Sequence, residues 1–133
     1  MPAPRMVLDT DVASRIFRSQ DLEANEWQAL TSHTPVLTFV TIAEWAKWAH
    51  KRNWDTAQRT RIRTFAGRFA LLHCEVPVMH EWGRLRAMAE LDGHPVPAND
   101  CWIAACCTHN RLPLLTRNRK DFDPLTAHGL VLI

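Results

Sequence analysis

Five short apolar runs constrain the fold of this chain more than any other feature. They are Met6-Val7-Leu8, Pro35-Val36-Leu37-Thr38, Ala70-Leu71-Leu72-His73-Cys74-Glu75-Val76, Pro113-Leu114-Leu115-Thr116 and Leu130-Val131-Leu132-Ile133. Short continuous apolar runs suit strands covered on both faces rather than strands with one wet side. The segments between them read as helices. One opens at Asp9-Thr10-Asp11 and runs to about Arg18, and a second runs from Asp21 to Ser32 with Leu22, Trp27 and Leu30 as packing residues. A third spans about Thr41 to Arg52, where Ile42, Trp45, Trp48 and Ala49 make an apolar stripe at helical spacing. A fourth covers Asp55 to Arg68. A fifth starts at Pro77, a residue suited to a first helical turn, and breaks at Asp92-Gly93 after Leu91. The sixth, Asn99 to His109, is apolar nearly all round and is expected to lie buried against the sheet. Strands alternating with helices predict an α/β fold, a single domain over residues 1–133 with a parallel sheet of four to five strands. Right-handed crossovers put helices on both faces, a three-layer α/β/α arrangement.

Composition narrows the setting. A 47% hydrophobic content over 133 residues supports a packed core and argues against disorder. The net charge of +2 does not by itself imply nucleic acid. Basic residues nevertheless gather at Lys51, Arg52, Arg59, Arg61, Arg63 and Arg68, and again at Arg117, Arg119 and Lys120. A solvated helix face accounts for the first group as well as a binding surface does. No apolar run reaches the roughly 18 residues of a membrane helix, and Met1-Pro2-Ala3-Pro4-Arg5 lacks the apolar core of a signal peptide. The expectation is a cytoplasmic protein in which Cys74, Cys101, Cys106 and Cys107 are reduced thiols. Cys101, Cys106, Cys107 and His109 have poor spacing for zinc and read as core. Trp45, Trp48 and Trp102 read as core or interface, whereas Trp27, Trp54 and Trp82 are free to serve a partner surface.

Four acidic residues sit where an apolar element meets a polar one: Asp9, Glu44, Asp100 and Asp121. In parallel sheets the chemistry gathers at the carboxyl ends of strands, where Asp9 and the Thr116 segment fall. Each carboxylate has an ordinary explanation alone. Asp9, Asp11 and Asp100 suit helix caps or first turns, Glu44 an exposed helix face, and Asp121 a turn. Carboxylates gathered in one pocket repel one another and call for a cation. A carboxylate-held Mg²⁺ or Mn²⁺ points to phosphoryl-transfer or phosphodiester chemistry.

These residues also carry a resemblance. Leu8-Asp9-Thr10-Asp11-Val12, Thr41-Ile42-Ala43-Glu44-Trp45, Asn99-Asp100-Cys101-Trp102-Ile103-Ala104-Ala105 and Leu115-Thr116-Arg117-Asn118 with Asp121-Phe122 resemble, in order, the four motifs of PIN-domain nucleases. The similarity spans nearly the whole chain and is nearest to the toxins of VapBC-type toxin–antitoxin pairs. It implies a PIN-like fold and an Mg²⁺- or Mn²⁺-dependent endoribonuclease with Asp9, Glu44 and Asp100 as metal-site carboxylates. For the fourth acidic position it leaves two choices, since many relatives have Asp where this chain has Asn118. Either Asp121 substitutes, or Asn118 holds a metal-bound water. Asp11, where the family often has Asn, is an extra carboxylate. The implied reaction is in-line attack of a metal-bound water on an RNA phosphodiester, leaving 5′-phosphate and 3′-hydroxyl ends. Thr10 and Thr116 would orient carboxylates or waters, and Arg117, Arg119 and Lys120 would hold RNA phosphates. The resemblance further implies a cognate antitoxin partner, docked between the helical stretches from Val12 to Ser32 and from Asp55 to Arg68, and a homodimer.

Two rivals use the same residues differently. Asp9-Thr10-Asp11-Val12 also fits the opening of haloacid-dehalogenase-like phosphotransferases, but Asp100 lacks an acidic neighbour and Glu44 would have no role. A PIN-like module that binds RNA or protein without cleaving it is favoured by Asn118 and opposed by the other acidic positions.

Overall fold

The structure, a computed structural model, describes residues 2–133. Its centre is a four-stranded parallel sheet in the order β3-β2-β1-β4. The strands are β1 (Arg5–Leu8), β2 (Thr34–Thr38), β3 (Ala70–Leu72) and β4 (Leu114–Leu115). Register is set by Val7 opposite both Val36 and Leu114, and by Leu8 opposite Leu115.

Alternation along these strands divides the interior into two cores, one on each face of the sheet. Val7, Val36 and Leu114 pack with Val78, Leu85, Ala104 and Cys106 of helices α5 (Val76–Leu91) and α6 (Ala98–Asn110). Met6, Leu8, Leu37 and Leu115 pack the other way, on α1 (Thr10–Phe17), α3 (Phe39–Lys51) and α4 (Thr56–Ala66) through Val12, Trp45 and Ile62. The three-layer α/β/α arrangement is therefore as expected, and the apolar strands are continuous because both faces are covered. Helix α6 is the most deeply set: Cys101, Ile103, Ala104, Ala105, Cys106 and Cys107 are all buried. Burial pushes the Cys106 thiol up to about 12, and raises that of Cys107, so both are neutral packing groups. All four cysteines are free.

Several elements depart from expectation for local reasons. The fifth strand reduces to one parallel bridge between Leu132 and Leu114. The third strand stops at Leu72 instead of continuing to Val76. Helix α2 (Ala24–Ser32) starts three residues after Asp21, because Glu23 and Glu26 form a reciprocal capping box that fixes its first turn. Trp27 on that helix is 57% exposed, and the inward positions belong to Glu26 and Ala29. Helix α3 begins at Phe39 directly after β2, two residues earlier than predicted. After β4 the chain forms α7 (Arg119–Phe122) and a 3₁₀ turn (Asp123–His128), which plant Phe122 and Leu125 in the core.

Sheet order fixes the place of any site. The chain leaves β1 toward β2 and β3, then returns to the opposite side of β1 as β4. The switch point lies between β1 and β4, and a crevice opens there beyond their carboxyl ends.

Candidate active site

At this switch point Asp9 follows the last residue of β1 and caps α1, one oxygen accepting from the Thr10 backbone N–H at 2.8 Å. The other accepts from the Thr116 hydroxyl, which follows β4, at 2.7 Å. Adjacent parallel strands thus bring together residues 107 positions apart in sequence. Thr116 in turn accepts the Asn118 backbone N–H at 2.9 Å, which shapes the turn into α7. The Thr10 hydroxyl lies 2.8 Å from the Thr41 hydroxyl and donates to Glu44 at 3.2 Å, tying α1 to α3. Asp100 stands in the first turn of α6 and completes the acidic wall. Asp121 faces it from α7 and accepts from the Asn118 side-chain amide at 2.8 Å.

Asp9, Thr10, Glu44 and Asp100 line an open cleft of about 460 Å³ that also takes in Asp11, Ser14, Arg18, Trp48, Arg117 and Asn118. A more enclosed apolar pocket between α3 and α4, near Trp45 and Ile62, is remote from this chemistry. Of the expected residues, Asp9, Thr10, Asp11, Glu44, Asp100, Arg117 and Asn118 reach the cleft. Thr116 and Asp121 support it from behind through Asp9 and Asn118.

The electrostatics are those of unneutralised carboxylates. Burial, then the charges of Asp9, Asp121 and Glu44, push Asp100 up to about 6. Burial also raises Asp9 and Glu44, against hydrogen bonds from Thr116 and Thr10 that pull them down. Among the described residues, no three His, Cys, Asp or Glu side chains converge closely enough to hold a metal ion unaided. The carboxylates share a field without forming a closed cage. Mg²⁺ characteristically keeps several waters and takes one or two carboxylates plus substrate phosphates, so an open all-oxygen set fits a hydrated hard cation. It does not fit a dehydrated ion or a soft metal.

A pH dependence follows from these directions. Asp100 is raised above its unfolded value, so the folded state binds the extra proton and loses stability as pH climbs through about 6. Glu26 is lowered, chiefly by its hydrogen bonds from Arg117, and its contribution is lost as pH falls below the usual carboxylate range. Metal-free protein is therefore expected to melt highest near about pH 4, falling as pH rises to about 6, levelling beyond it, and falling again toward about pH 3. Melting temperatures across that range in chelator check this, and a flat profile from about pH 4 to 6 would contradict the acidic-cluster description.

Three residues have different work from that read in the sequence. Arg117 spends its guanidinium on Glu26, with contacts of 2.8 and 2.6 Å, and on the Asp21 carbonyl at 3.2 Å. Arg119 donates to the Ile133 carbonyl at 2.6 Å. Arg59 of the basic stretch ties the Trp54 and Ala49 carbonyls at the end of α3. Sequence reading missed Arg18 and Glu26, and read Trp48 as a core or interface residue on the apolar stripe. Arg18 and Trp48 gave no signal because nothing in their local spacing distinguishes a cleft wall from a helix face. Glu26 did carry one, since Glu23 and Glu26 suit a helix start.

Known proteins resemble this chain in sequence and fold. A profile described as the PIN domain matches residues 6–125. Ribonuclease VapC1 of Haemophilus influenzae (strain R2866) is 25% identical over 123 residues, covering 90% of this chain and 91% of that protein. Among solved structures, VapBC2 from Rickettsia felis, bound to a DNA fragment from its promoter, superposes with a TM-score of 0.81 at 20% identity, over 96% of each chain. VapBC-5 from Mycobacterium tuberculosis, a member of the VapBC family of toxin–antitoxin systems, gives a TM-score of 0.73 at 26% identity over 97% of each chain.

Proposed function

Because the chain belongs to the PIN-domain family, we propose that it is a metal-dependent endoribonuclease acting as the toxin of a VapBC-type toxin–antitoxin pair. The observation that carries this reading is the acidic wall at the switch point, where burial together with the charges of Asp9, Asp121 and Glu44 pushes Asp100 up to about 6. A cleft so charged is unsuited to a polyanion until a cation enters it. Asp9, Glu44 and Asp100 would hold a hydrated Mg²⁺ or Mn²⁺, with Asn118 and Asp121 jointly serving the fourth position through their shared hydrogen bond. When bound, such an ion lowers the pKa of its water and stabilises charge on phosphate oxygens.

The chain's own residues set the geometry. Thr116 and the Thr10 backbone fix both oxygens of Asp9, and the Thr10 hydroxyl turns Glu44 toward the same cleft. Fixed carboxylates reduce the reorganisation needed as charge develops on the phosphate. The substrate is RNA in this reading, the compartment the cytoplasm, and the partner a cognate antitoxin, with a homodimer as the free form. Resemblance to a named ribonuclease and to VapBC assemblies supports the pairing. Among the described residues no helix is long and apolar enough to cross a membrane.

The testing experiment is cleavage of total cellular RNA by purified, partner-free protein in Mg²⁺ or Mn²⁺ against EDTA, beside Asp9→Asn. Discrete fragments that require both metal and Asp9 are expected. A folded, metal-loaded protein that cuts no RNA would favour a binding module instead.

A further inference from the structure

An RNA strand entering an acidic cleft needs cations beyond any metal, and the basic residues nearest the motifs are already engaged: Arg117 with Glu26, and Arg119 with a backbone carbonyl. A different pair stands at the cleft. Arg18, at the C-terminus of α1, lines it together with Trp48 of α3. The Arg18 guanidinium lies over the Trp48 ring at 5.7 Å, and that of Arg52, at the C-terminus of α3, lies over the same ring at 5.4 Å. Among the described residues neither arginine pairs with a carboxylate or donates a side-chain hydrogen bond. Both side chains are exposed.

Two unpaired guanidiniums converging on one indole form an ordered cationic platform, because the ring face attracts each and limits its wandering. Guanidinium is also suited to phosphate, which it grips through paired N–H donors. Helix geometry explains why the two meet, since α1 and α3 are already tied at their other ends by the Thr10–Thr41–Glu44 contacts. Arg18 and Trp48 thus border the same cleft as the acidic wall, and Arg52 adjoins it across the Trp48 ring.

We propose that Arg18 and Arg52, organised by Trp48, hold backbone phosphates of single-stranded RNA flanking the bond to be cut. This rests on the ribonuclease reading and assigns that site's substrate grip. The platform supplies electrostatic hold and orientation, and the carboxylate wall supplies the chemistry.

The test measures binding of a fluorescein-labelled uridine octamer in Mg²⁺, with Asp100→Asn in every protein to prevent turnover. Arg18→Gln and Arg52→Gln are compared with Arg5→Gln, which removes equal charge at the opposite end of the sheet. Each cleft variant is expected to weaken binding about 5- to 10-fold at low salt, and to reduce the slope of log affinity against log salt by about 0.7, one single-strand phosphate contact. Arg5→Gln should leave the slope unchanged. Trp48→Phe should keep most of the affinity and Trp48→Ala lose it, with melting temperatures recorded to separate misfolding. Cleft variants indistinguishable from Arg5→Gln, in a protein whose parent cleaves RNA, overturn the platform and leave the nuclease standing. Arginine-dependent binding by a chain whose Asp100-bearing form never cleaves would sink the nuclease and leave the platform.

Discussion

Asp100→Asn is expected to reduce metal-dependent RNA cleavage by more than about 100-fold while raising the melting temperature of the metal-free protein by about 3 °C. The two effects share a cause. Asp100 lies at a helix N-terminus, which favours a negative charge by a few tenths of a kcal/mol up to about 1. Its carboxyl is nonetheless pushed up to about 6, so burial and the charges of Asp9, Asp121 and Glu44 outweigh the helix. Removing the charge relieves that repulsion. For a half-exposed group solvent screening leaves roughly 1 kcal/mol, hence the modest shift in melting. In the proposed reading the same substitution also removes a ligand for a hard cation, and losing merely the groups that orient ligands already costs about 10- to 100-fold. Thermal melts in EDTA and cleavage in Mg²⁺ on the same preparation decide it. A variant that loses activity and also melts lower would mean that Asp100 is part of the frame. One that cleaves normally would remove it from the site.

Arg117→Ala is expected to lower the melting temperature by about 10 °C, a structural effect for a residue first read as an RNA contact. Glu26 is only 1% exposed, and its two oxygens receive the Arg117 guanidinium at 2.8 and 2.6 Å. Without the arginine, Glu26 keeps the Glu23 backbone N–H as donor and becomes a buried carboxylate with only the weaker field of Arg15 opposing its charge. Breaking one side of such a pair is costly because the survivor cannot regain its hydration. Arg117→Lys should recover only part of the loss, since an ammonium cannot reproduce the two-point grip. The damage should also reach the site, because Arg117 lies between Thr116, which holds Asp9, and Asn118, which holds Asp121. Differential scanning fluorimetry of the three proteins is sufficient. Unchanged melting with weakened RNA binding would return Arg117 to the substrate.

Comparison of these two residues shows what was legible. Asp100 was readable in sequence because its setting is local: an acidic residue at the start of an apolar helix, in a motif of recognisable order. Arg117 sat in an equally recognisable motif, and its partner was not readable. Glu26 is 91 residues away, and no pattern in either segment says that β4 would end beside α2. Trp48 shows the same limit from the other side. Its helical spacing placed it correctly on the stripe with Trp45, yet Trp45 is buried against Ser14 and Trp48 borders the cleft between two arginines. The overlong third strand and the fifth strand, reduced to one bridge, failed because an apolar run reports burial and not pairing; ladder hydrogen bonds depend on a neighbour.

What the sequence determined by itself was whatever short-range chemistry can encode. That includes the order of strands and helices, the burial of both sheet faces, the six-helix periodicity, and an acidic residue beside each of several element ends. What only the tertiary structure decided was pairing. The sheet order β3-β2-β1-β4 sets Asp9 beside Thr116, and packing across the layers then brings Arg117 to Glu26 and leaves Arg18 and Arg52 without carboxylates. Charge–charge and hydrogen-bond energies depend on distances of a few ångströms between groups far apart in the chain, and only the closed fold sets those distances.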